Sequence, residues 1–205
     1  MLTLYYFKGT IAAAVAIALK DVGVEFKGVP VDFKNAEQRG PAYGAVNPKG
    51  RVPALVTPQG TLTETLAILC YLGDAYPQAD LCPDDPFEAA QMRGVMTYLA
   101  STVHVNHAHK MRGERWADKP ESWEDMRNKV SQTMTECAAY IEDHCIKGEY
   151  VMGDRYTVAD PYLFVVSAWF EGDGVDLAAF PKLAQFHQRM LARPSVQAAQ
   201  VDGYL

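Results

Sequence analysis

The sequence predicts a small mixed α/β domain over residues 1–76 and an all-helical domain over 87–205. Three observations carry this. Strand and helix signals alternate as βαβ and then ββα up to Tyr76. A stretch rich in proline and aspartate, "PQADLCPDDP", fills 77–86 and reads as a linker, because it suits neither helix nor strand. Beyond it the strand signals largely vanish and apolar residues recur at helical spacing.

Leu2 to Phe7 is an apolar run suited to a strand, and it ends at a turn, Lys8-Gly9-Thr10. Ile11 to Val22 is a helix with Ile11, Val15, Ala18 and Leu19 on one face, stopped by Gly23. Phe26 to Phe33 is the second strand. Pro30 within it predicts an edge or a bend, since proline has no N–H for a ladder. "VPALVT" and "TLTE" flank Pro58-Gln59-Gly60 and predict a hairpin. "TLAILCYLGDAY" is the next helix. In the second domain, Phe87 to about Arg112 is helical. Trp123 to Cys145 repeats Met126, Val130, Met134, Cys137, Ile141 and Cys145 along one buried face. "TVADPYLFVVSAWF" and "FPKLAQFHQRMLARP" are two further helices.

The 205 residues are 49% apolar, enough for a substantial core. A net charge of −6 without any Lys/Arg cluster argues against nucleic acid or an anionic membrane as partner. "IAAAVAIAL" is cut short by Lys20 and Asp21, so no membrane span and no secretory signal are expected. Cys70, Cys82, Cys137 and Cys145 form no C-x-x-C pair and read as reduced thiols of a cytoplasmic protein. Three of them fall inside apolar helical runs as small core residues, and Cys82 lies in the linker.

The most informative stretch is "NPKGRVPALVTPQGTLTETLAILCYL". A cis Val52–Pro53 bond would bend the chain and leave Val52 free to pair its N–H and C=O with a peptide-like ligand. Glu64 and Thr65 open a helix. The free N–H groups of a helix start bind carboxylates, and an acid there can pair with an ammonium group. Together they suit an α-amino acid. Alone, "TET" reads first as a plain N-cap with a first-turn acid, and it is the proline hairpin before it that shifts the balance towards a site. In "GDRYTVADPYLF", Thr157 and Asp160 have capping-box spacing, and Asp160 is read as a folding residue. His104, His107 and His109 lack a clustered Cys or acidic partner. They read as lining a cleft or facing solvent rather than as a metal site.

Taken together, "LYY" with its glycine turn, "NPKGRVPAL", "TETLAILCYL", "STVH", "GDRYTVADPYLF" and "FHQRMLARPSVQAA" resemble a cytosolic glutathione transferase over nearly the whole chain. The likeness is greatest to the bacterial beta class. It implies a thioredoxin-like first domain, a helical second domain, a homodimer, glutathione as co-substrate, no metal, and a hydrophobic electrophile in the interdomain cleft. Val52 resembles the residue that pairs with the cysteinyl backbone of glutathione, and Pro53 the cis-proline. Glu64 and Thr65 resemble the acid and hydroxyl that hold the γ-glutamyl end. Arg51 stands where "NPKGQVPAL" has glutamine, and can reach a glutathione carboxylate. His104 resembles the histidine of the electrophile cleft, but Val105 replaces the lysine that usually follows it.

The chief departure lies at the first turn. The beta class reads "GAC" where this chain has Gly9, Thr10 and Ile11, so Ile11 occupies the place of the cysteine in the cleft. A mixed disulfide cannot form there. Glutathione brings its own thiol, however, and the protein need only favour the thiolate. A helix N-terminus and a hydroxyl do that. Thr10 is the best hydroxyl in the turn, near the position of the active serine in theta-like classes, and it is equally a simple N-cap. Tyr5 and Tyr6 are rival donors whose side chains point to opposite faces. The reading is a transferase that conjugates glutathione to a hydrophobic electrophile. Dehalogenation, ether cleavage or isomerisation on the same fold, or a non-catalytic ligand-binding stress protein, stand as alternatives.

Overall fold

The computed structural model describes all 205 residues and divides into two compact units. The first holds Met1–Asp84 and Leu191–Leu205, the second Asp85–Met190. The sequence predicts a helical domain over all of 87–205. The last 15 residues instead belong to the first unit.

The sheet of the first unit runs β2-β1-β3-β4. Strand β1 (Leu2–Tyr6) lies parallel to β2 (Phe26–Pro30) and antiparallel to β3 (Ala54–Thr57), which forms a hairpin with β4 (Gly60–Thr63). Helices α1 (Ala12–Asp21), α2 (Pro41–Gly44) and α3 (Thr65–Ala75) complete a thioredoxin-like βαβ-ββα unit. Strand β2 is an edge, as Pro30 requires, and shorter than Phe26–Phe33. The Asp32 carboxylate accepts from the N–H groups of Lys34 and Asn35, turning the chain before Phe33 can extend the ladder.

Helix α1 corrects the one-faced expectation. Every residue from Ala12 to Leu19 is buried, because α3 and a C-terminal helix, α9 (Pro194–Val201), pack against it as well as the sheet. A helix enclosed on all sides needs no polar stripe. The sequence reading did not separate α9 from the run before it. Pro194 starts it at the first helical position, where a missing N–H does no harm. Lys20–Asp202 at 2.5 Å and Arg193–Asp21 at 3.3 Å pin its ends to α1.

The second unit contains α4 (Pro86–Tyr98), α5 (His104–His109), α6 (Pro120–Tyr140), α7 (Ala159–Ser167) and α8, which begins at Pro181 and ends at Leu191 just beyond the unit. Asp85 caps α4, its carboxylate accepting from Phe87 and Glu88 N–H. A π-helical turn, Leu99–Val103, joins α4 to α5, and the helical stretch stops at His109 rather than Arg112. Val130, Met134, Cys137, Ile141 and Cys145 are buried along α6 and the π turn after it, as their spacing predicts, whereas Met126, expected on the same face, is only half-buried near the start of the helix. Asp160 is fully buried and accepts from Val151 N–H at 2.8 Å and from Thr157 N–H at 2.6 Å, the folding role expected of it. No helix is long and apolar enough to cross a membrane.

Candidate functional site

The hairpin register assembles the first half of the site. Ala54 pairs with Thr63, so the residues next outward, Pro53 and Glu64, leave the hairpin side by side, followed by Val52 and Thr65. The Val52–Pro53 peptide is cis. No hydrogen bond of the chain ends on the Val52 N–H or C=O, so one strand-like pairing edge is open at the mouth of β3.

The loop before Val52 is held from within. Buried Asn47 donates through Nδ2 to the Arg51 carbonyl at 2.6 Å and accepts from Lys49 N–H at 3.1 Å. The Tyr43 hydroxyl donates to the same Arg51 carbonyl at 2.7 Å. Burial pushes the Tyr43 phenol up to about 12, so it stays a donor throughout the physiological range. Gly50, at φ 61°, runs so close to the Gln38 carbonyl that a Cβ would lie 2.9 Å from it. The backbone of Arg51 is thus fixed and its side chain is exposed.

Glu64 is the N-terminal boundary of α3 and has φ 70° and ψ 119°, a conformation rare for any residue but glycine. No side chain caps α3, so the first N–H groups of the helix remain available to an anion. The Glu64 carboxylate meets Lys49 Nζ at 2.5 Å, and the same ammonium donates to Thr63 Oγ1 at 2.8 Å. Both partners are well exposed, so the pair is worth only about 0–1 kcal/mol and can be exchanged. Thr65 is buried at the helix start. Lys49 was not singled out from the sequence, although it stands inside the quoted "NPKGR".

The β1–α1 turn is the second half. The Thr10 hydroxyl donates to the Phe7 carbonyl at 2.7 Å and accepts weakly from Ala12 N–H at 3.4 Å. In this state it is a local turn and cap group. Ile11 is buried at the helix start, and its N–H has no acceptor in the chain. Tyr5 and Tyr6 do face opposite sides. Tyr5 meets Tyr43 edge-on at 5.7 Å, whereas Tyr6 packs on Tyr204 at 4.5 Å. Gly9 N–H donates to the Tyr204 carbonyl at 3.1 Å, which anchors the turn to the C-terminal segment.

The histidines lie in the second unit. His104 and His107 flank Trp169, with ring centroids 5.1 Å and 4.4 Å from it, and His107 is nearly parallel to the indole. His107 Nδ1 is 2.6 Å from the buried carboxylate of Asp173, which Lys110 approaches at 3.2 Å. His109 turns to Trp116 instead. Asp173 and Trp169 had no local signal in the sequence, since they stand more than sixty positions from His107. Burial pushes the Cys145 thiol up to about 11, so it has no reactive thiolate.

Residues 1–74 match the family model of the glutathione S-transferase N-terminal domain, and residues 108–199 that of its C-terminal domain. Glutathione S-transferase GstA of Escherichia coli O157:H7 is 33% identical over 96% of each chain. Maleylacetoacetate isomerase of Pseudomonas aeruginosa is 31% identical over 95% of this chain and 92% of its own. A crystal structure of a glutathione transferase homologue from Sulfitobacter with bound glutathione superposes with a TM-score of 0.98 at 53% identity, covering 100% of this chain and 99% of that one. The chain belongs to the glutathione S-transferase family. As a member of that family it is an enzyme on a thioredoxin-like plus helical fold.

Proposed function

We propose that the first unit binds glutathione and lowers the pKa of its thiol, and that the thiolate attacks a hydrophobic electrophile held by the helical unit. The observation that carries this reading is the hairpin register, which sets the open edge of Val52 beside an acid at an uncapped helix start. The cysteinyl backbone of glutathione extends that edge as one more strand. Its γ-glutamyl carboxylate meets the α3 N–H groups, and its ammonium displaces Lys49 from Glu64. Arg51 reaches the carboxylate at the far end. The Sulfitobacter homologue with bound glutathione supports the same choice of ligand.

The sulfur then lies at the start of α1, where the helix dipole and the Ile11 N–H favour S⁻. The Thr10 hydroxyl joins them by leaving the Phe7 carbonyl. A neutral hydrogen bond contributes about 0.5–1.5 kcal/mol and one to a charge about 1.5–3, so the exchange is favourable. Tyr5 is the rival donor. The likeness to a maleylacetoacetate isomerase supports isomerisation as a second reading, since addition and return of the same thiolate would serve it. The four free cysteines fit a reducing cytoplasm, and family likeness extends the proposal to a homodimer. Calorimetric titration with glutathione tests the binding half. Assays with an aryl chloride, an epoxide, an enone and the isomerase substrate separate the reactions. Failure to bind glutathione would end both readings.

A further inference from the structure

The β1–α1 turn is held from outside at a single point. Gly9 N–H donates to the Tyr204 carbonyl at 3.1 Å, and no other hydrogen bond joins residues 8–11 to the chain beyond the turn and α1. Gly9 stands at φ 72°, and as a glycine it has other conformations within easy reach, so the local backbone does not fix the turn by itself. The carbonyl that anchors it is fixed in turn. Gly203, at φ 81°, ends α9: its N–H donates to the Gln200 carbonyl and the Tyr204 N–H to the Ala199 carbonyl at 3.0 Å, the paired bonds that close a helix C-terminus. Tyr204 is only 7% exposed, with its ring 4.5 Å from that of Tyr6 and 5.9 Å from that of Phe26. Its hydroxyl lies over Gly28 of β2, where a Cβ would stand 2.3 Å from the oxygen and 3.1 Å from the ring carbon that bears it. That hydroxyl takes part in no hydrogen bond of the chain. The ring, seated in a notch that only glycine leaves, is what holds the carbonyl in place.

We propose that Tyr204 is a positioning residue for thiol activation: its buried ring fixes its carbonyl, the carbonyl fixes Gly9, and Gly9 fixes the turn from which the Thr10 hydroxyl and the Ile11 N–H meet the sulfur. This rests on the reading of that turn as the place where the thiolate is favoured. Dipoles stabilise a charge best when they are already in place as it forms. A turn free to pivot at Gly9 loses part of that stabilisation to its own ordering. The effect falls on the ionised sulfur alone. Binding of the γ-glutamyl and cysteinyl groups at Glu64, Thr65 and Val52 does not pass through the turn.

The test follows the ultraviolet absorbance of the bound glutathione thiolate against pH in wild type, Tyr204→Phe, Tyr204→Ala, Gly28→Ala and the double variant Gly28→Ala/Tyr204→Phe. Affinity for S-methylglutathione, which has no thiol, is measured in parallel. Tyr204→Phe should match wild type, because the hydroxyl has no partner to lose. Tyr204→Ala and Gly28→Ala should raise the pKa of the bound thiol by about one unit, a tenfold fall in the ratio of thiolate to thiol. Their kcat on 1-chloro-2,4-dinitrobenzene should fall near neutral pH and recover at higher pH, with S-methylglutathione affinity unchanged. Amide hydrogen exchange at Gly9 should quicken in both. The double variant should regain the wild-type titration, since without the hydroxyl the new Cβ meets only the ring carbon at 3.1 Å, a contact that a small shift relieves. The Gly28 pair decides the matter if Tyr204→Ala fails to fold. A wild-type titration in Gly28→Ala or in a folded Tyr204→Ala overturns the proposal and leaves thiol activation standing. A double variant no better than Gly28→Ala, or faster exchange at Gly9 with the titration unmoved, does the same. An equal loss of S-methylglutathione affinity assigns Tyr204 a structural role only and also overturns it. A wild-type bound thiol that titrates with free glutathione removes the activation reading and this one with it.

Discussion

Replacing Glu64 by glycine should make the free protein more stable than replacing it by alanine, while both variants lose the same glutathione affinity. Glu64 sits at φ 70°, where a Cβ is strained and glycine is not. Such a conformation costs about 1–3 kcal/mol. Glycine gives back about 0.4–1 kcal/mol through its freer unfolded chain. The net advantage of Glu64→Gly over Glu64→Ala is about 1 kcal/mol. The exposed Lys49 pair is lost in both and cancels. For binding, the charged hydrogen bond to the ligand ammonium is worth about 1.5–3 kcal/mol, offset by about 0–1 for the Lys49 pair it displaces. The net loss of about 0.5–3 kcal/mol should lower affinity roughly 2- to 150-fold. Urea unfolding of the two variants and calorimetry with glutathione measure both halves. An alanine variant as stable as the glycine variant would refute the strain argument. Unaltered affinity in either would refute the role of the carboxylate.

Asp160→Ala should destabilise the second unit by about 2–6 kcal/mol, since it orphans the buried N–H groups of Val151 and Thr157 at about 1–3 kcal/mol each; denaturant unfolding checks this. Thr10→Ala should raise the pKa of bound glutathione and lower kcat near neutral pH more than it weakens binding, and Thr10→Ser should keep most activity; if instead Tyr5→Phe alone moves the titration, the donor is Tyr5. Burial lowers the pKa of His187, which packs on Phe164 and shares a hydrogen bond with Ser167. The unfolded chain then binds the extra proton more readily, so this contribution to stability is complete above the ordinary histidine pKa and is lost as pH falls below it. His187→Asn should flatten that acid-side slope in unfolding curves taken between about pH 7 and 5.

The order of the four strands with α1 and α3, an edge or a bend at Pro30, the hairpin and the cis Val52–Pro53 bond were legible in the sequence, because each depends on local chemistry, whereas the short α2 and the separation of α9 from α8 were not. Proline lacks a donor, Pro58-Gln59-Gly60 makes a turn, and alternation sets a strand. The Thr157–Asp160 box was legible for the same reason. What could not be read depends on contacts distant in sequence. α1 looked one-faced because nothing local announces that α9, nearly two hundred positions on, covers its other side. The return of 191–205 to the first unit rests on the Lys20–Asp202 pair and on Tyr204 lying over Tyr6 and Phe26. Glu64 was legible as an acid at a helix start, but its positive φ and its bond to Lys49 were not. The hydroxyl of Thr10 was legible as a donor, while its present acceptor, the Phe7 carbonyl, appears only in the folded turn. Asp173 and Trp169 meet His107 only through the packing of the helical unit.

The central claim is that the Gly9-Thr10-Ile11 turn, which carries no cysteine, favours the thiolate of bound glutathione. The most direct measurement follows the ultraviolet absorbance of the thiolate against pH, with the protein saturated with glutathione and free glutathione as reference. If the start of α1 acts as described, the bound thiol ionises about two units below the free one, so that near neutral pH a large fraction is thiolate. If the bound thiol titrates with the free one, the turn binds glutathione without activating it, and the chain is not a transferase by this mechanism.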